Sequence, residues 1–210
     1  MTRDFHRPGR SPVIACEGMA ATSHPLASLA AVETLRAGGN AADAAVTALA
    51  VLCVVEPHMT GIGGDCFAMI DVPGKPVWGY NGSGRAGALA STQALLAQGI
   101  HSIASDSIHA VTVPGALDAW DAILKAHGRF GLDRALAPAI RYAESGCPVA
   151  PRIAWDWAQQ VAKLSADPGA ARHFLRDGRA PDVGDVVRLP ALAQTLRTIA
   201  AQGPRAFYEG

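Results

Sequence analysis

The strongest pattern in the chain is "AAVTALAVLCVV" at 44–55, an apolar run bracketed by Asp43 and Glu56. Its apolar residues fall on nearly every side at helical spacing. This predicts a buried helix over 41–55 whose alanines permit close approach. Asn40 stands at the N-cap, Asp43 sits where a capping-box acid would, and Pro57 ends the helix. Ahead of it, "PLASLAAVETLRAGG" carries a narrower apolar face, with Gly38 and Gly39 as its stop. "PVIACEGMAATS" (12–23) begins as a strand-like segment, and "CFAMIDV" (66–72), "PGK" and "PVWGYN" (76–81) read as a β-hairpin. "HAVTVPGALDAWDAILKAHG" (109–128) reads as a strand running into a helix, with Pro114 in the first turn. Further helices are predicted near 91–98, over 132–145 with a kink at Pro138, over 150–164 and over 189–203. The stretch "RDGRAPDVGDVVR" between the last two is turn-rich.

Residues 1–12 read as a flexible lead and 13–210 as one unit without repeats. Helices and strands alternate loosely around a hairpin, which favours a mixed α/β or α+β body over a clean doubly wound sheet. Lys plus Arg equals Asp plus Glu at 18 each, and no basic patch marks a nucleic-acid partner. The apolar run is too short to span a bilayer. "MTRDFHRPGRSPV" has no apolar segment behind its basic residues, so no secretory signal is read. Cys16, Cys53, Cys66 and Cys147 lie far apart with no C-x-x-C pair, which fits a reducing cytoplasm. The histidines form no H-E-x-x-H or close cluster, and neither a metal nor a cofactor is expected.

The candidate chemistry lies around two glycine-rich stretches. In "EPHMTGIGGDCF" (56–67), Gly61, Gly63 and Gly64 crowd a loop between helix and hairpin. A dinucleotide fingerprint would need glycine where Cys66 stands, and the order helix, loop, strand is wrong for it; no Gly-Lys-Ser/Thr follows for a P-loop. Two readings stay open. One is a tight turn that lets helix 41–55 pack on the hairpin; the other is a backbone wall of a substrate site. In "YNGSGRAGALAS" (80–91), Arg85 is the only charged residue between Lys75 and Asp106. It is either simply solvated or, framed by glycines, free to grip a ligand carboxylate bidentately. Ser83 lacks the spacing of a nucleophile elbow. His24 and His58 read as capping or core residues, Trp155 and Trp157 as cover for the core edge, and Asp65 and Cys66 have no base beside them.

Five phrases, in order, resemble the γ-glutamyltransferase (glutathione hydrolase) family: "MAATSHPLAS", "GGNAADAAVTALAVLCVVEPHMTGIGGDCF", "TVPGALDAW", "GRFGLDRALAPAIRYAESGCPV" and "LPALAQTLRTIAAQGPRAFYEG". The resemblance implies an α+β fold, part of the layered αββα sandwich of N-terminal-nucleophile hydrolases. It also implies a self-cleaving precursor whose newly exposed threonine attacks a γ-glutamyl amide through an acyl-enzyme. This chain resembles the N-terminal part of the large subunit only. It is therefore expected to be inert alone and to need the C-terminal part of its precursor as partner. By the resemblance, Arg85 takes the place of the Arg that binds the donor's α-carboxylate, and Gly61, Gly63 and Gly64 lie near that site as structural glycines. In the family that Arg is followed by Glu and soon by Ala-Pro, whereas Ala86 follows here. "NGSGRA" resembles the subgroup acting on other small carboxylates, such as oxamate or acylated β-lactams. That alternative and a non-catalytic fragment stand beside the γ-glutamyl reading.

Overall fold

The computed structural model describes residues 11–104 and 107–210. The flexible lead expected over 1–12 falls mostly outside them.

Helix α1, Pro25–Arg36, opens with Pro25 in its first turn, and His24 Nδ1 accepts the Leu26 N–H at 3.1 Å. Helix α2, Ala41–Val55, has the predicted capping box. Asn40 Oδ1 accepts from Ala42 and Asp43, and the Asp43 carboxylate accepts the Asn40 N–H at 2.7 Å. Eleven of its 15 residues are buried, which makes it the centre of the helical layer. Asp43 is itself wholly buried and also accepts the N–H groups of Arg129 and Phe130, each at 2.9 Å. One carboxylate thus ties the start of α2 to a loop 86 residues away.

Strands β1, Cys66–Ile70, and β2, Trp78–Gly82, form the expected antiparallel hairpin, with Cys66 opposite Gly82 and Ile70 opposite Trp78. Its inner face packs on α4, Ala116–His127, while Phe67 and Met69 point outward and are exposed. Between β2 and α4 lies the short α3, Thr92–Ala97. Helix α5, Leu132–Ser145, runs on through Pro138 and packs on α2 and on α9, Pro190–Gln202. The architecture is α+β: a helical layer backing one face of a small sheet. No helix among the described residues is long and apolar enough to cross a membrane.

Four local expectations differ from the structure. Residues 12–23 form no strand, and Val13 and Ile14 are exposed, because no strand among the described residues offers them a ladder. Residues 109–113 give only a 3₁₀ turn, Ile108–Ala110, followed by extended backbone, and Pro114 precedes α4 instead of entering its first turn. The helix expected over 150–164 is broken into α6, Pro151–Ala158, and α7, Val161–Ser165. The following stretch holds a further helix, α8, Pro168–Phe174, and the turn-rich segment ends in β4, Val186–Val187, paired with β3, Cys147–Pro148. The chain closes on α10, Arg205–Tyr208. Trp157 is buried and donates from Nε1 to the Phe174 carbonyl at 2.9 Å, whereas Trp155 is exposed.

Candidate functional site

The end of β2 delivers Arg85 through a backbone junction that leaves no room for side chains. A Cβ on Gly82 would lie 2.7 Å from the Cys66 carbonyl oxygen and 2.8 Å from Ala119 Cβ. Gly84 adopts φ +76°, and a Cβ there would overlap the Val113 carbonyl. A Cβ on Gly115 would meet the Gly84 nitrogen at 2.5 Å. Three glycines therefore let the segments 82–85, 64–66 and 112–116 meet backbone to backbone. The contact is sealed by hydrogen bonds: Val113 N–H to the Arg85 carbonyl at 2.9 Å, and Thr112 Oγ1 to the Ser83 carbonyl at 3.2 Å. Gly115 and Ala116 donate to the Gly64 carbonyl at 3.0 and 3.1 Å, which replaces the side-chain cap that α4 lacks.

The Arg85 backbone is fixed by this junction, yet its side chain is exposed and makes no hydrogen bond or ion pair with a described residue. A guanidinium with a held backbone and free donors can take a carboxylate in a two-point grip. Beside it runs a chain of polar contacts. Tyr80 donates to Asp118 Oδ2 at 2.6 Å, Tyr208 donates to the Pro114 carbonyl at 2.7 Å, and the Asp118 N–H donates to the Tyr208 oxygen at 3.2 Å. The bond to Asp118 pushes the Tyr80 phenol up to about 12.

Gly61, Gly63 and Gly64 differ from the tight-packing reading. A Cβ on Gly61 or Gly63 would meet nothing within 4 Å, one on Gly64 would meet only the Gly61 carbonyl at 3.4 Å, and none of the three has positive φ. The loop's contribution to the junction is the Gly64 carbonyl. Gly61 and Gly63 instead border an apolar cavity of about 360 Å³ shared with Cys53, Ile62, Phe174 and Leu189. The close approaches fall at Gly82, Gly84 and Gly115, which the sequence marks only as "GSG" and "PG".

The remaining candidates are quiet. Ser83 is engaged in a local turn, its N–H donating to Asn81 Oδ1 at 3.1 Å. His24 caps α1, and burial pushes its pKa down. Cys66 is buried, which pushes its thiol up and away from nucleophilic use, while Asp65 beside it is exposed. Among the described residues no three His, Cys, Asp or Glu side chains gather as metal ligands.

Comparison with known proteins fits this geometry. A sequence profile of gamma-glutamyltranspeptidase matches residues 27–210. The chain is 42% identical over 205 residues to the glutathione hydrolase-like YwrD proenzyme of Bacillus subtilis, covering 94% of this chain and 38% of that protein. It is 40% identical over 203 residues to the oxamate amidohydrolase proenzyme of Klebsiella pneumoniae, with the same coverage of 94% and 38%. The crystal structure of Helicobacter pylori gamma-glutamyltranspeptidase superposes with a TM-score of 0.88 at 29% identity, over 95% of this chain and 58% of that one. The chain thus spans 38% of the length of the two curated relatives. By sequence and by fold, it belongs to the γ-glutamyltranspeptidase family.

Proposed function

We propose that this chain serves γ-glutamyl acyl transfer, or hydrolysis of γ-glutamyl amides such as glutathione, with Arg85 binding the donor's α-carboxylate. The observation that carries this reading is an exposed guanidinium with no partner among the described residues, on a backbone held by the Val113–Arg85 hydrogen bond and by glycine contacts. The nucleophilic threonine and the oxyanion donors come from the remaining part of a proenzyme, which is this chain's partner. The proenzymes among its relatives support that partnership.

In the complete proenzyme, Arg85→Ala raises KM for a γ-glutamyl anilide at least about tenfold, as expected for a lost charge-assisted pair of about 1.5–3 kcal/mol. An unchanged KM removes Arg85 from the site. A second reading has a specific basis: Ala86 follows Arg85, and one relative is an oxamate amidohydrolase. On that reading the same Arg holds a different small carboxylate. Parallel assays on glutathione, oxamate and glutaryl amides separate the two by kcat/KM. A cytoplasmic location accompanies either reading, supported by four cysteines that are all free; cell fractionation tests it.

A further inference from the structure

The peptide between Pro114 and Gly115 is gripped at both ends. Its carbonyl accepts the Tyr208 hydroxyl proton at 2.7 Å, and its N–H donates to the Gly64 carbonyl at 3.0 Å. Pro114 has no N–H of its own, so this carbonyl is its whole backbone hydrogen-bonding capacity. The peptide stands where the segments of the Arg85 junction come closest. A Cβ on Gly115 would overlap the Gly82 carbonyl, and one on Gly84 would overlap that of Val113. Val113, one residue before Pro114, donates its N–H to the Arg85 carbonyl. Turning this one peptide plane therefore shifts the backbone against which Arg85 is fixed.

Tyr208 reaches the junction from α10, 94 residues along the chain. Its phenol donates and accepts at once, since it also takes the Asp118 N–H in the first turn of α4 at 3.2 Å. Gly115 gives α4 no side-chain cap, and Gly64 serves only the N–H groups of Gly115 and Ala116. The Tyr208 oxygen thus meets a helix N–H that has no partner within the helix. Phe207, packed against the core, sets the Tyr208 ring edge to face at 5.1 Å and 83°. Tyr208 is 39% exposed, so water can serve its hydroxyl, and its two bonds add little to stability. Their consequence is geometric. We propose that Tyr208 is a positioning residue for the carboxylate grip of Arg85, holding the Pro114 carbonyl so that the 112–116 backbone keeps Arg85 aimed. This role presupposes that Arg85 binds the donor's carboxylate; Tyr208 itself touches no substrate.

In the complete, self-processed proenzyme, Tyr208→Phe keeps the ring and deletes both bonds. KM for a γ-glutamyl anilide should rise at least about threefold with kcat within about twofold, because binding and not the chemical step is disturbed. In an Arg85→Ala background the same substitution should add nothing, since no guanidinium is left to aim. Backbone hydrogen exchange reads the junction without turnover: the Val113 and Asp118 amides should exchange at least about threefold faster in Tyr208→Phe. If Arg85→Ala leaves KM unchanged, the carboxylate reading fails and this role falls with it. If Arg85→Ala raises KM but Tyr208→Phe does not, only the role of Tyr208 is overturned. The same holds if Tyr208→Phe raises KM by one factor with or without Arg85, as a merely structural phenol would. If Tyr208→Phe does not fold, the unmodified proenzyme decides: a Val113 amide exchanging as fast as free backbone overturns the role, and a protected one upholds it.

Discussion

Two corners of the molecule secure backbone in opposite ways. At the start of α2, the buried Asp43 collects the N–H groups of Asn40, Arg129 and Phe130 on one carboxylate. At the end of β2, Gly82, Gly84 and Gly115 join three segments with no side chain in between, and the nearby charge, Arg85, faces outward. The first corner commits a charge to structure and leaves none for a ligand. The second builds its structure from bare backbone and keeps a charge available. A charged residue in a sequence is therefore ambiguous until its backbone surroundings are known.

The sharpest way to break this contrast is to remove the committed charge. Asp43→Ala strips acceptors from three backbone N–H groups at once, and buried donors left unpaired cost about 1–3 kcal/mol each. Urea denaturation should show a loss of about 3 kcal/mol or more, enough to threaten folding in a domain of ordinary stability. A loss below about 1 kcal/mol would make Asp43 no more than a surface cap. Arg85→Ala should leave stability within about 0.5 kcal/mol, because its exposed side chain makes no hydrogen bond or ion pair with a described residue.

The second test contrasts glycines that look alike in the sequence. Gly84→Ala forces positive φ on alanine and drives Cβ into the Val113 carbonyl, so it should cost at least about 2 kcal/mol and displace Arg85. Gly61→Ala meets open space without positive φ and should stay within about 0.5 kcal/mol of the parent chain. Equal losses at both positions would move the tight junction back to the loop at 61–64.

Much of the fold was legible because it rests on short-range pattern. The capping box follows from Asn40 and Asp43 three apart, and the hairpin follows from alternation around a proline-glycine turn. The bonds from Asp43 to Arg129 and Phe130 had no local signature, since their partners come from far along the chain. The strands expected at 12–23 and 109–113 carry apolar, β-branched residues, but a strand exists only where a neighbour pairs with it. The two-residue ladder of β3 and β4 is too short to show any period. Arg85 stood out by type and setting, and the family resemblance gave it a role. Which glycines hold it in place was hidden, because glycine's function lies in what approaches it.

The smallest expected effect concerns the polar contacts beside Arg85, which are exposed where those of Asp43 are buried. Tyr80 donates to Asp118, and that bond raises its phenol from an ordinary value of 10.0 to about 12. The folded chain then holds this proton where the unfolded chain has released it. The bond's contribution is complete below the unfolded value of 10.0, declines above it and is lost as pH rises through about 12. Phenolate absorbance should show Tyr80 titrating late, alongside Tyr208, whose phenol burial also raises, and Asp118→Asn should bring Tyr80 back toward the ordinary range. Stability at neutral pH should change little, since an exposed bond exchanges readily with water. If Asp118→Asn leaves the late phenolate titration unchanged, the Tyr80–Asp118 bond does not persist in solution. The Arg85 edge would then rest on its glycines and on Tyr208.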